Sequence, residues 1–139
     1  MPEQGVKVKY MKFQLPYLAY IGAGIVTVLG IVSLAQPAFV ASLFGLAAIE
    51  PRGLSQIRGT FGAMYMALGG IILYGALRPV AGNRALGIGA VLVSAVAAGR
   101  LISIVVDHAA GVLNILFLLG ELAVVAMVVA AMFAKPRVP

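Results

Sequence analysis

Two pairs of polar residues interrupt the apolar sequence in the second half of the chain. Arg100 and Asp107 are seven residues apart, and Asn114 and Glu121 repeat this separation. Seven residues make about two helical turns, so each pair lies on one helix face about 10 Å apart, with Ser103 between the members of the first pair. Such side chains can form an ion pair, hold an anionic group through the arginine, or transfer a proton through a carboxyl group.

Other kinds of reactive site are missing from the sequence. The chain has no cysteine, which excludes disulfides, thiolate metal sites and cysteine nucleophiles. His108 is the only histidine, and one histidine near carboxylates is a weak indication of a metal site. No Ser/His/Asp spacing, phosphate-binding loop or cofactor fingerprint is present. We therefore predict no catalytic residue set, no metal site and no cofactor.

The elements that position these polar residues are helices in a membrane. Of the 139 residues, 63% are hydrophobic and 10% are charged, against about 25% charged residues in average soluble domains. The apolar residues form long runs without the polar face of a soluble helix or strand, so lipid must cover much of them. The sequence predicts a single transmembrane domain over residues 1–139.

Charges and prolines delimit four predicted transmembrane spans. Pro37 disfavours helix at the residue before it and ends the first span, whereas Pro16 is tolerated in the first helical turn. Arg58 and Arg78 frame the second span, and Pro79 follows it. A helix needs about 20 apolar residues to cross the bilayer. The predicted spans are residues 15–36, 59–77, 85–106 and 112–134.

The connections between the spans indicate how the helices pack. The turn at residues 78–84 contains Pro79, Gly82 and Asn83, and the connection at residues 107–111 is also short, so consecutive spans are neighbours. Small residues recur in the spans and allow the close backbone approach that holds helices together in lipid. We predict an all-α fold, an integral membrane four-helix antiparallel bundle.

The connection between the first two spans is long for a compact bundle, which predicts structure of its own. Apolar side chains such as Phe39 and Leu43 recur there at helical spacing, so we predict a short interfacial helix over residues 38–48. Residues 50–53 then form a break, and Ser55 is expected to cap the second span through its hydroxyl.

The distribution of basic residues predicts the orientation of the bundle. With a cytoplasmic N-terminus, only Arg52 and Arg58 lie at the opposite end, and most other Lys and Arg residues satisfy the positive-inside rule. The net charge of +6 is therefore a topology signal, and no nucleic-acid partner is predicted. The cytoplasmic basic residues are Lys7, Lys9, Lys12, Arg78, Arg84, Lys135 and Arg137.

The depth of the charges within the spans predicts a contact between two of them. Arg100 lies about 9 Å from the outer end of the third span, and Glu121 lies about 13 Å from the outer start of the fourth. An isolated charge at such depth costs several kcal/mol, so pairing Arg100 with Glu121 is the arrangement of lowest cost. Arg58, at the outer end of the second span, is expected to reach Asp107 or Glu50.

The polar cluster has two interpretations that the sequence leaves open. Buried ion pairs often fix the register of helices, and the charges would then serve folding alone. Ionisable residues that face the interior of a bundle also mark ligand, proton or substrate sites. In this second interpretation a polar pocket lies under the outer mouth of the bundle. Its residues are Arg58, Arg100, Ser103, Asp107, His108, Asn114 and Glu121.

Three segments of the chain form a distinctive pattern: IRGTFGAMYMALGG from Ile57, GRLISIVVDHAAG from Gly99 and GELAVVAM from Gly120. In these segments the chain resembles a family of small four-helix bacterial membrane proteins of unknown function, distantly similar to the DoxX-like proteins. The resemblance implies a multi-pass protein of the bacterial inner membrane, with both termini cytoplasmic in the orientation above. The family's polar positions match Arg58, Arg100, Asp107 and Glu121. His108 stands where the family tends to have glycine.

Three functions are compatible with the sequence, and membrane lipids are partners in each. We favour a non-enzymatic module: an accessory subunit of a larger membrane complex, or a protein that binds a lipophilic molecule such as a quinone or lipid in an outer-leaflet pocket. The second is a small membrane enzyme with Glu121 or Asp107 as general acid or base and Arg100 holding an anionic group of a lipophilic substrate. The third is transport of protons or small solutes, which calls for a second polar layer that the sequence lacks.

Overall fold

A computed structural model describes residues 3–47, 50–78 and 82–134, with side chains from residue 17 onward. The described residues form helices and connections, without strands. The elements are α1 (Glu3–Ala35), α2 (Pro37–Leu43), α3 (Pro51–Ile57), a π-helical segment (Arg58–Ala63), α4 (Met64–Leu77), α5 (Gly82–Val106) and α6 (Val112–Ala134). The predicted all-α fold class is confirmed.

Within the described ranges, four helical runs are long and apolar enough to cross a bilayer. They are Tyr17–Ala35, Pro51–Leu77, Gly82–Val106 and Val112–Ala134, and the second comprises α3, the π-helical segment and α4. Many large apolar side chains point away from the bundle, as lipid-covered helices require. The chain is therefore a multi-pass membrane protein.

The four runs form a ring in which neighbours are antiparallel. α1 packs against α4, α4 against α5, α5 against α6, and α6 against α1. The end of the bundle that carries α2, together with Pro51, Val106 and Val112, is called the α2 end here. The opposite end, with Leu77 and Gly82, is called the far end. This arrangement is the predicted four-helix antiparallel bundle.

The first half of the chain departs from the sequence prediction at two places. α1 begins at Glu3, so Pro16 lies inside a longer helix and not in a first turn. The Lys and Gln residues before Pro16 have good helix propensity, which extends the helix toward the N-terminus. The interfacial helix α2 ends at Leu43, before the predicted limit, because Gly45 turns the chain with a φ of 67°. Residues 48 and 49 lie outside the described part.

Two helix starts also differ from the prediction. The second run begins at Pro51, whose fixed φ suits a first turn, and Ser55 lies inside the helix, so the expected Ser55 cap is wrong. α5 begins at Gly82, so Gly82 and Asn83 belong to this helix, although the sequence placed them in a turn. Residues 79–81 of that turn lie outside the described part.

Glycines at the helix contacts bring the backbones together. A Cβ atom built on Gly30 of α1 would lie 2.8 Å from the backbone nitrogen of Met66, and one built on Gly75 of α4 would lie 2.9 Å from that of Leu86. A real Cβ essentially never comes this close to backbone, so both contacts require glycine. By contrast, a Cβ on Gly70 would meet nothing within 4 Å, which shows that this glycine faces outward.

The largest fully buried side chains lie toward the far end. Ile72, Leu86 and Val128 are fully buried there, and Gly89 lies against the Ile72 side chain, where a Cβ would come within 2.6 Å of Cγ1. A smaller buried group at the α2 end, formed by Val40, Ala41 and Ile57, attaches α2 to α3. The interior of the bundle is thus filled by large apolar side chains toward the far end, and α2 covers the other end.

Candidate functional site

Arg100 of α5 and Glu121 of α6 form a salt bridge in the half of the bundle near α2. Nη2 of Arg100 lies 2.7 Å from Oε1 of Glu121, and Nε donates to Oε1 and Oε2 at 3.1 and 3.0 Å. The two side chains are 11% and 14% exposed, so the pair is partly and not fully buried. The contact joins the two residues whose depths in the sequence favoured pairing.

Asn114 extends this ion pair to the connection between α5 and α6. Its Oδ1 accepts a hydrogen bond from Nη1 of Arg100. Its Nδ2 donates to the backbone carbonyl of Ala109 at 2.8 Å. All three side-chain nitrogens of Arg100 therefore donate to two residues of α6, which fixes the direction of the guanidinium.

Four aromatic side chains surround the ion pair: Phe44, Phe61, Tyr65 and Phe117. The ring centroid of Phe44 lies 4.8 Å from that of Phe61 and 4.9 Å from that of Phe117, and Phe61 meets Tyr65 edge-on at 5.9 Å. Cζ of Arg100 lies 5.2 Å from the Phe117 centroid and 5.8 Å from the Phe44 centroid. The rings cover the arginine within the range of cation–π attraction.

This aromatic group was not predicted, although the sequence contains a signal for part of it. Phe61 and Tyr65 are four residues apart, and so are Phe117 and Glu121, which places each pair on one helix face. Phe44 could not be placed from the sequence, because its position depends on the path of the chain at the end of α2. Only the fold brings this residue onto the arginine.

A cavity of about 250 Å³ lies between the helices beside the ion pair and is called the deep cavity here. Residues of α1, α2, α4, α5 and α6 and of the π-helical segment line it, and its wall is apolar except for Ser33, Tyr65, Arg100 and Glu121. The Ser33 hydroxyl donates to the backbone carbonyl of Leu29 at 2.7 Å, so its proton is used inside α1. The polar groups left to a ligand come from the other three residues.

The deep cavity is closed toward the far end and separated from a second cavity at the α2 end. Its floor consists of buried side chains of all four spans: Val26, Leu68, Val93 and Val124. The second cavity, called the end cavity, measures about 770 Å³ and includes Ser103 and Asn114 in its wall. The residues that line both cavities are Leu43, Phe44, Phe61, Val96, Arg100 and Phe117.

Arg58 is outside this cluster, contrary to the expectation from its depth. Its Nε donates to the backbone carbonyl of Leu34 at 3.2 Å, and in the described part it forms no salt bridge with Asp107 or Glu50. The carbonyls in the last turn of α1 have no partner within the helix and carry the negative end of its dipole, which attracts a cation. Arg58 therefore attaches the second run to the end of α1.

Asp107 and His108 are also outside the cluster. Asp107 directly follows the last residue of α5, and its backbone N–H still donates to the Ser103 carbonyl at 3.0 Å. Both residues are exposed, His108 adopts a φ of 55°, and neither lines the deep cavity or the end cavity. Of the seven predicted pocket residues, the structure brings together Arg100, Ser103, Asn114 and Glu121.

The cluster can orient a neutral polar group. Arg100 retains one N–H on each terminal nitrogen beyond the hydrogen bonds described above, and Oε2 of Glu121 accepts one hydrogen bond only. Among the described residues, no group of three or more His, Cys, Asp or Glu side chains could hold a metal ion. The available chemistry is therefore hydrogen bonding next to an apolar, aromatic wall.

The model of a protein family described as a domain of unknown function, DUF4345, matches residues 16–132 of the chain. The match includes the residues of both cavities and the whole ion-pair cluster. Searches of curated proteins and of solved structures return no match. The resemblance to a family of unknown function is confirmed, whereas the similarity to DoxX-like proteins and the bacterial source stay predictions from the sequence.

Proposed function

The chain belongs to the DUF4345 family, and from the cavity and its polar residues we propose that it is a membrane protein that binds a lipophilic small molecule in the deep cavity. The observation that carries the proposal is an apolar cavity between four transmembrane runs whose wall contains one paired arginine and carboxylate. Ligand sites commonly combine an apolar cavity with a few polar groups that fix the orientation of the ligand. A quinone or a slender lipid has this chemistry.

Three polar side chains are available to orient such a ligand. Arg100 offers N–H groups, Glu121 offers the free lone pairs of Oε2, and the Tyr65 hydroxyl has no hydrogen-bond partner among the described residues. A hydrogen bond formed in an apolar cavity is electrostatically stronger than one formed in water. One carbonyl or hydroxyl on an otherwise apolar molecule is therefore enough to select its orientation.

An enzyme that uses acid–base chemistry has less support from the structure. Asp107, one of the two proposed acids or bases, is exposed and lines neither cavity. Glu121, the other, accepts three hydrogen bonds from Arg100, so the guanidinium occupies most of the carboxylate. A general base needs free reach to the proton that it removes.

Transport has the least support because the polar path stops inside the bundle. The floor of the deep cavity is apolar, and below it the fully buried Ile72, Leu86 and Val128 fill the space toward the far end. A proton or solute pathway requires polar groups or water across the whole thickness of the bilayer.

We further propose that the protein lies in a bacterial inner membrane with both termini in the cytoplasm and the α2 end toward the outer surface. Basic residues in the sequence support this orientation, because they cluster at the termini and at the connection after α4. At the far end, Arg78 lies over the Tyr74 ring at 5.5 Å, an aromatic and basic pair of the kind that anchors helices at the membrane interface.

The test is to purify the protein in mild detergent, extract bound small molecules and identify them by mass spectrometry. Arg100→Gln and Glu121→Gln remove the charges of the site, and Val96→Phe fills the cavity next to Arg100. Val91→Phe is the matched control, because Val91 is 69% exposed on the same helix and does not line the cavity.

We expect one lipophilic compound to co-purify with the wild type and with Val91→Phe. Its amount is expected to fall with Val96→Phe and with both glutamine variants, while all variants remain folded. Unfolding of both glutamine variants, with no compound bound to the folded wild type, would show that the ion pair serves folding alone. A stable wild type that binds no compound and co-purifies with a defined membrane protein would instead favour the accessory-subunit interpretation.

A further inference from the structure

We propose that the deep cavity opens sideways to the bilayer between α1 and α6, and that it takes an uncharged, single-ring lipophile directly from the membrane. This inference rests on the proposed function and adds the route and the chemical class of the ligand. Three observations carry it: the exposure pattern of the cavity wall, the packing of α1 against α6, and the charge balance at Arg100.

The exposed residues of the cavity wall all come from three elements. Every lining residue of the second run and of α5 is buried or half-buried. The exposed lining residues belong to α1, α2 and α6, and they are Ile25, Leu29, Phe39, Leu116 and Gly120. A wall that is exposed on one side only has its opening on that side, which here faces lipid.

The contact between α1 and α6 is tight at the floor of the cavity and loosens toward the α2 end. A Cβ on Gly22 of α1 would lie 3.6 Å from both Val124 and Val128 of α6, and these valines are buried. One helical turn closer to the α2 end, Gly120 lines the deep cavity and is exposed, and a Cβ built on it would meet nothing within 4 Å. The two helices therefore leave a gap beside Gly120.

The route from the end cavity is blocked by the wall that the two cavities share. Arg100 is held there by Glu121 and Asn114 and is covered by the rings of Phe44 and Phe117. Access from this side requires the guanidinium to leave its hydrogen bonds. The gap at Gly120 requires no such change.

The size and the charge of the deep cavity restrict the ligand. A cavity of about 150 Å³ holds benzene, so about 250 Å³ accommodates one ring with small substituents. Arg100 and Glu121 are the charged residues of its wall, and they neutralise each other. A ligand with a net charge would enter an apolar space without a counter-charge, at a large cost. An aromatic ring can instead stack on Phe61 or Phe117.

The experiment uses the protein in lipid nanodiscs with 4-(trifluoromethyl)phenol as the neutral probe and 4-(trifluoromethyl)benzoate as the anionic probe at neutral pH. Fluorine NMR distinguishes the bound from the lipid-dissolved probe, and saturation transfer measures the exchange rate between the two. Gly120→Leu narrows the gap to lipid. Gly70→Leu is the lipid-facing control, and Gly99→Leu narrows the end cavity; a Cβ at either position meets nothing within 4 Å.

We expect the phenol to bind at least about tenfold more tightly than the benzoate. We expect Gly120→Leu to slow exchange of the phenol about tenfold, whereas Gly70→Leu and Gly99→Leu leave the rate unchanged. If Gly120→Leu does not fold, Leu116→Trp narrows the same gap and is expected to slow exchange in the same way.

Two results would overturn the inference and leave the proposed function standing. In the first, Val96→Phe abolishes phenol binding, but the exchange of the phenol with lipid is slowed by Gly99→Leu and not by Gly120→Leu. The other is equal affinity for the phenol and the benzoate at a site that Val96→Phe fills. If neither probe binds to the wild type and no compound co-purifies with it, the proposed function itself fails.

Discussion

The two halves of the bundle are built from the same four apolar runs but fill their interiors in different ways. Toward the far end, glycines such as Gly75 and Gly89 let the backbones approach, and Ile72, Leu86 and Val128 leave no exposed surface. Toward the α2 end α1 stays close to the second run at Gly30 and Gly62, but the interior of the bundle holds an ion pair, four aromatic rings and a cavity.

This difference distinguishes a closely filled half from the half that contains the candidate site. In lipid the association of helices depends on close van der Waals packing, which glycine contacts provide in both halves. Charged residues inside a membrane are costly, and a bundle held by glycine contacts does not need them. Their presence next to the deep cavity supports the proposal that this half binds a ligand.

The largest expected effect is the loss of stability when Arg100 is left without its partner. Glu121→Leu leaves an uncompensated charge in the apolar interior, and we expect it to lower the free energy of unfolding by about 3 kcal/mol. The measurement is unfolding in mixed detergent micelles with increasing SDS, followed by circular dichroism.

The double variant Arg100→Leu/Glu121→Leu is the control, because it removes both charges. We expect its stability to lie within about 1 kcal/mol of the wild type, since an ion pair replaced by apolar side chains leaves no unpaired charge. A double variant as unstable as Glu121→Leu would show that the ion pair itself stabilises the half of the bundle near α2.

The next effect comes from the far half and its backbone contacts. Gly75→Val places atoms where a Cβ would already lie 2.9 Å from the backbone nitrogen of Leu86, so α4 and α5 must separate. We expect a loss of about 2 kcal/mol in the same unfolding measurement. Gly70→Val, in the same helix but facing outward, is expected to change stability by less than about 0.5 kcal/mol. Equal effects of the two variants would contradict the glycine packing.

Much of this fold was predictable because lipid imposes simple rules on a sequence. Uncharged length gives the number of spans, short connections make neighbours antiparallel, and charge at depth demands a partner. The contact between Arg100 and Glu121 followed from the rise of a helix alone. These rules depend only on the positions of charged and apolar residues along the chain, which the sequence provides.

The rest of the site could not be predicted because it depends on where helices end and how the connections fold. Asp107 is exposed at the end of α5 and lines neither cavity, so its seven-residue spacing from Arg100 did not bring it to the site. Arg58 binds the Leu34 carbonyl, a backbone group to which its position in the sequence gave no clue. Phe44 reaches Arg100 from the end of α2, a contact between distant parts of the chain that the sequence does not show.

A smaller effect tests whether the aromatic rings hold the guanidinium in place. Phe117→Leu keeps an apolar side chain but removes one ring over Arg100 and the contact with Phe44, and we expect a loss of about 1 kcal/mol. Phe39→Leu is the matched control, because Phe39 lines the same cavity, is 52% exposed and has no ring contact with Arg100 in the described part. An equal loss of unfolding free energy in Phe39→Leu would show that the rings next to Arg100 have no specific effect on the ion pair.

The smallest effect is expected at Asp107, which the sequence placed in the cluster and the structure places outside it. An exposed carboxylate beyond the end of α5 contacts neither cavity, so Asp107→Asn should change the free energy of unfolding by less than about 0.5 kcal/mol. It should also leave binding of the phenol probe unchanged, whereas Glu121→Gln weakens it. Equal loss of phenol binding in Asp107→Asn and Glu121→Gln would contradict this expectation. It would mean that the connection after α5 closes over the site when ligand binds, so that Asp107 belongs to the site.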